Sequence, residues 1–110
     1  MDHHQAIFRV YVLELGASAR DDPKLDHPRR DPDKPCLYVG STAKPLEVRY
    51  AEHQTDGAKT QADALRKHGM KCAREDLAEG KYAHSREKAE EIEARLADTL
   101  RARGYGVSQG

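Results

Sequence analysis

Cys36-Leu37-Tyr38-Val39-Gly40-Ser41-Thr42-Ala43-Lys44-Pro45-Leu46-Glu47-Val48-Arg49-Tyr50-Ala51-Glu52-His53 is the stretch on which the reading of this chain turns. It begins with apolar, β-favouring residues, breaks at Gly40, and passes through a Ser-Thr turn into a helix opened by Pro45. Proline suits a first helical turn, where its missing N–H would have had no intrahelical partner. Leu46, Arg49, Tyr50 and His53 fall at i, i+3, i+4 and i+7, so they share one helical face. A strand end bearing a phenol thus leads into a helix that displays a guanidinium and an imidazole together. That set of groups suits the handling of a phosphate.

Upstream, Ile7 to Leu15 reads as a strand rich in β-branched and aromatic residues. Phe8, Val10 and Val12 form one face and Ile7, Arg9, Tyr11, Leu13 and Leu15 the other. Both faces are largely apolar, as in a central strand covered on two sides. From Gly16 to Pro35 the composition shifts to Asp, Pro, Arg and Lys, and Pro23, Pro28, Pro32 and Pro35 argue against any regular element. This stretch reads as a solvated insertion, with a substrate-contacting loop built on Arg29 and Arg30 as the lesser alternative.

Downstream, Leu37 to Val39 is a second strand, expected antiparallel to the first. The helix from Pro45 should end near Gly57, and a weaker helix should run from about Thr60 to His68, stopped by Gly69. Met70 to Ala73 reads as a short third strand with Cys72 as a small core filler, and Arg74 to Lys81 as a polar connection. Ser85 is an N-cap for a last helix over Arg86 to Arg103, which Gly104 terminates. Along that helix Glu93 lies inside the apolar stripe of Ala89, Ile92, Leu96 and Leu100. A carboxylate on a core-facing seam is costly unless it is paired or bound to a metal.

The chain has 110 residues, 37% hydrophobic and 35% charged, with 19 basic against 19 acidic side chains. That length is one domain with a small core. The even charge balance argues against a sequence-blind DNA coat protein, although it says nothing of one local face. No run of apolar residues is long enough to span a membrane, and the start of the chain lacks the pattern of a signal peptide. Cys36 and Cys72 form no disulfide framework, so a reducing, cytoplasmic setting is the expectation. None of the other histidines stands at ligand spacing to a cysteine, so no zinc site is expected. Taken singly, each tyrosine would more often be a packing residue, Arg49 a solvated charge and His53 a surface histidine. Their ordered combination is what weighs against those plainer readings.

Tyr38-Val39-Gly40 followed by Ser41-Thr42, Arg49 and His53, with Tyr11 on the preceding strand and Glu93 on the last helix, resembles the GIY-YIG nuclease family. Val10-Tyr11-Val12 stands as the first half-motif, with Arg9 where the family usually has glycine. Lys88 to Leu96 is similar to the family's glutamate-bearing helix. The resemblance covers nearly the whole chain, with residues 16–35 as an insertion, and implies a single α/β (α+β) domain over 1–110. It implies a three-stranded antiparallel sheet flanked by helices, and phosphodiester hydrolysis with one divalent metal, Mg²⁺ or Mn²⁺. By that resemblance Glu93 holds the metal, Arg49 neutralises phosphate charge, and Tyr11 or Tyr38 orients or activates the water with help from His53. Gly40, Ser41, Thr42 and Lys44 are then the expected substrate-binding positions. The implied partner is nucleic acid, DNA before RNA, with no membrane and with a targeting protein as a further expectation. The family often has a supporting asparagine near its end. The tail from Gly104 has none, which leaves Ser108 or Gln109 as substitutes. The competing expectation is a catalytically silent binding module on the same fold.

Overall fold

The computed structural model describes residues 6–55 and 63–109. β1 (Phe8–Leu15) pairs along both edges and is the strand on which the others are assembled. β2 (Cys36–Thr42) runs antiparallel along one edge, with Tyr11 opposite Gly40 and Val12 opposite Val39; the expected break at Gly40 and turn at Ser41-Thr42 do not form, because all three residues stay paired with β1. The other edge is shared. β3 (Met70–Ala73) covers Leu13 to Leu15 and β4 (Tyr82–Ala83) covers Phe8 and Arg9, both antiparallel. Between them, where the sequence reads as a polar connection, the short helix α3 (Glu75–Ala78) occupies the gap. There the Arg74 amide donates to the Val12 carbonyl and the Val10 amide to the Lys81 carbonyl. β5 (Gly106–Gln109) lies outside β2 and parallel to it, with Ser108 beside Tyr38.

The architecture is therefore mixed α/β, with an open five-stranded sheet and four α-helices among the described residues. The expected three-stranded antiparallel sheet is corrected: β3, β1 and β2 pair antiparallel, but β4 adds a further antiparallel pair and β5 a parallel one, so the sheet is five-stranded and mixed. β4 is two residues long and Gly106–Gln109 is too short to show a period, so neither carries a pattern of its own. β5 becomes a strand because α4 (Arg86–Ala102) crosses the sheet and returns the chain alongside β2, where its backbone groups find partners.

Alternation along β1 sends side chains to two separate cores. Val10 and Val12 join Leu37, Val39 and Val107 beneath Leu96, Ala97 and Leu100 of α4. Tyr11, Leu13 and Leu15 join Cys36 and Tyr38 beneath α1 (Leu46–Thr55) and α2 (Asp63–His68). Both faces are covered, as the two apolar faces of this strand require. Ser85 caps α4 by accepting from the Lys88 amide, and Gly104 follows the helix at φ +97. Gly69, at φ +71, stops α2. The expected end of the first helix at Gly57 and the expected start of the second at Thr60 lie outside the described residues.

The insertion overturns the expectation that residues 16–35 form no regular element. Ala17–Asp21 and Pro23–Leu25 are short 3₁₀ helices, and Ala19 and Leu25 are buried in the α1 face of the core beside Cys36. Proline at the first position of such a turn is compatible with helical φ, which is why Pro23 initiates one rather than preventing it. Asp22 accepts from the Lys24 amide. His68 bonds the Ser18 hydroxyl through Nδ1 at 2.8 Å and the Asp22 carboxylate through Nε2 at 2.9 Å, tying the insertion to α2. That bond is the main reason the Asp22 carboxyl titrates below its usual range. Arg30 is packed inward, donating to the Arg20 carbonyl and pairing with Asp26. The alternative of a substrate-contacting Arg29–Arg30 loop therefore loses Arg30. Cys72 is exposed on β3 rather than filling the core. Cys36 is the buried thiol, its pKa raised chiefly by burial.

Candidate active site

Tyr11 stands mid-sheet on β1, 1% exposed, and its hydroxyl is the hub of the site. His53 Nε2 lies 2.9 Å from that oxygen, and Arg49 Nε lies 3.4 Å from it. Arginine has no lone pair to offer, so it donates to the phenol oxygen. The phenol and His53 Nε2 share the second hydrogen bond, whose direction follows the tautomer of the imidazole. The rings of Tyr38 and His53 lie 6.2 and 5.8 Å from that of Tyr11, and 5.9 Å from each other. Tyr50 meets the Tyr11 ring edge-on at 6.1 Å. Such tilted and edge contacts are the favoured aromatic geometries.

The helix spacing read from the sequence holds. Arg49 and His53 reach the hub while Leu46 and Tyr50, on the same face, pack against the core beside it. Pro45 precedes the helix and its carbonyl accepts from the Arg49 amide, which sets the first turn. Gly40 is required by space. A Cβ there would lie 2.7 Å from the Tyr11 hydroxyl oxygen and 2.9 Å from ring atoms of both Tyr11 and Tyr38. No side chain fits at that position without displacing the hub.

Burial controls the titration of these groups. It raises the Tyr11 pKa, against a lowering by the Arg49 hydrogen bond and charge. It raises the Tyr38 pKa more strongly, so both phenols carry their protons at neutral pH. It lowers His53 to about 4, with the Arg49 charge adding to the effect. His53 is thus neutral near pH 7. Arg49 keeps its proton, and Glu52 ties it to α1 at 3.4 Å while also binding Lys44 at 2.7 Å.

Glu93 is placed differently. It is buried on the sheet-facing side of α4, as its position in the apolar stripe predicts. Its partner is the Ser41 hydroxyl, which donates to Oε2 at 2.6 Å; Oε1 is buried without a partner. Burial raises the carboxyl pKa, partly offset by Ser41. Ser41 alternates with Gly40 along β2, so Glu93 lies on the α4 face and Tyr11, Tyr38, Arg49 and His53 on the α1 face. The structure gathers those four around one oxygen and brings Glu93 up from the other side, within electrostatic reach of both phenols.

The expected substrate-binding positions also divide. Gly40 admits the hub and Ser41 serves Glu93. Thr42 is buried, accepting from the Lys44 amide at the helix entrance, and Lys44 pairs with Glu52. Ser108 stands beside Tyr38 in register, yet neither it nor Gln109 bonds to the cluster. Tyr50 was legible only as a member of a helical face, and nothing local marked its ring contact with Tyr11. Among the described residues no cluster of three or more His, Cys, Asp or Glu side chains could hold a metal ion. No described helix is long and apolar enough to cross a membrane.

Compared with protein-family models, curated proteins and solved structures, the chain matches none.

Proposed function

We propose that this chain is a metal-dependent endonuclease domain of the GIY-YIG type, hydrolysing phosphodiester bonds of nucleic acid, DNA before RNA. The observation that carries the reading is a tyrosine hydroxyl held between a neutral imidazole and a guanidinium, above a glycine that leaves room for nothing else. The mixed α/β architecture is compatible with that reading. Arg49 would bind two phosphate oxygens in its planar fork. His53, neutral at physiological pH, would orient the Tyr11 hydroxyl through their 2.9 Å contact, and Tyr11 would position the attacking water. Tyr38 would wall the site from bulk water. The unpartnered, buried Oε1 of Glu93 fits a cation, and Glu93 would hold Mg²⁺ or Mn²⁺ with water and substrate oxygens completing its shell. Such a cation supplies charge stabilisation for the phosphoryl and leaving oxygens. A cytoplasmic setting and a partner protein for targeting belong to the same proposal.

A second reading, a catalytically silent binding module for nucleic acid or protein, is favoured by one observation. Glu93 approaches from the opposite face of the sheet and shares no hydrogen bond with the Tyr11 hub. The two separate cleanly. Single-stranded, duplex, flapped and RNA substrates incubated in Mg²⁺ or Mn²⁺ should be cut by the wild type. Tyr11→Phe, which keeps the ring and deletes the hydroxyl, should lose about 10²–10⁴-fold, the usual range for a general acid or base. A wild type that cuts nothing in either metal leaves the binding module standing.

A further inference from the structure

Beside the Tyr11 hub, between α1 and the chain from α3 to β4, runs an open groove of about 340 Å³. Tyr50 forms one wall and also touches the Tyr11 ring edge-on, so groove and hub are continuous. Tyr82 forms the opposite wall with an aromatic side chain that is 55% exposed, braced edge-on by His84 at 5.9 Å. An aromatic residue so open to water on a two-residue strand contributes little to the core. Arg9 and Lys81 line the same groove, and among the described residues neither side chain has an ion-pair or hydrogen-bond partner. Arg9 lies two residues from Tyr11 on β1, about 7 Å away along the strand.

We propose that this groove receives an unpaired nucleobase next to the scissile phosphate, so that the substrate is single-stranded or locally unwound nucleic acid. The inference rests on the nuclease or nucleic-acid-binding reading of the hub and adds the structure of its substrate. A base in the groove stacks on Tyr82 while its phosphate lies toward Arg9 and Arg49. Stacking on an exposed ring accepts any base and needs the base out of its helix. Glu75 and Glu79 complete the lining. Their charge opposes a second backbone phosphate deep in the groove, as a continuous duplex would bring. The same carboxylates accept from exocyclic amines, the pairing by which Asp and Glu recognise cytosine N4.

The test is fluorescence anisotropy in chelator, where nothing is cut, with labelled oligo(dC) and a blunt duplex of equal length. The wild type should bind oligo(dC) at least about tenfold more tightly than the duplex. Tyr82→Ala, at an exposed position that should leave the fold intact by circular dichroism, should weaken oligo(dC) binding about tenfold, the range for one lost stacking contact. Arg9→Ala should weaken it further and flatten its dependence on salt. Equal or tighter duplex binding, a Tyr82→Ala variant that binds oligo(dC) like wild type, or no binding to either probe overturns the proposal. The parent reading fails on a different result. A wild type that binds oligo(dC) as expected yet cuts nothing in Mg²⁺ or Mn²⁺ retains the groove and loses the nuclease.

Discussion

The two faces of the sheet solve the problem of buried polarity in opposite ways. On the α1 face, Tyr11, His53 and Arg49 satisfy one another around a single oxygen, and aromatic rings surround them. On the α4 face an aliphatic core surrounds one carboxylate, half satisfied by Ser41 and half not. A completed polar network is compatible with a stable core, whereas a lone buried acceptor is costly. The first arrangement is satisfied by its own members. The second leaves one buried carboxylate oxygen without a partner.

Glu93→Gln breaks the contrast most sharply. On the nuclease proposal cleavage falls by orders of magnitude, measured as single-turnover rates in Mg²⁺. Stability in chelator stays level or rises, since a neutral amide replaces a carboxyl whose ionised form is buried. The sign follows from its raised pKa. The folded state holds the proton more tightly, so wild-type stability from this group is present at low pH and is lost as pH rises through the folded pKa. The variant should therefore gain on wild type toward neutral pH in thermal unfolding. Mg²⁺ at a hundred times its Kd should stabilise wild type by about 2.7 kcal/mol and leave the variant unmoved. Wild-type unfolding that is indifferent to Mg²⁺ and Mn²⁺ would remove the metal from the proposal.

Gly40→Ala attacks the other face. Its Cβ would meet Tyr11 and Tyr38 at under 3 Å, and the clash should cost about 1–3 kcal/mol in chemical denaturation. Activity should fall more than stability accounts for, because the hub oxygen must move. A mutant with wild-type rates would show that the hub tolerates displacement and is structural.

His53 gives the α1 face its own pH signature. Its folded pKa, about 4, lies below the ordinary value of 6.5, so between those values the unfolded chain binds more protons. The stability is complete above pH 6.5 and is lost as pH falls toward 4, about 3 kcal/mol in all. His53→Gln should flatten that part of the stability profile while leaving the slope due to Glu93. An unchanged profile would mean that His53 is hydrated in solution.

The smallest effect calibrates the rest. Ser85→Ala removes the cap of α4 and should cost about 1 kcal/mol in thermal unfolding without changing the pH profile of either face. A pH-dependent loss here would show that the two faces are not independent, and the contrast between them would need redrawing.

Sequence alone determined what depends on local period and local chemistry. β1 carries apolar residues on both faces, and its strand and its two covered sides follow from that. The four-residue spacing of Arg49 and His53 on a helix opened by proline placed them together, and Glu93 stood out in its stripe. Tertiary structure decided everything that requires two distant segments to meet. Residues 16–35 look like solvent-exposed insertion by composition, yet Ala19 and Leu25 are buried because β2 brings Cys36 against them. β5 is a strand only because α4 returns it to an open edge, where unpaired backbone groups need partners. The face on which Glu93 lies was equally hidden, although its burial was not. A single residue step along β2, from Gly40 to Ser41, separates the two sides of the sheet, and strand alternation assigns sides only once the register with β1 is set.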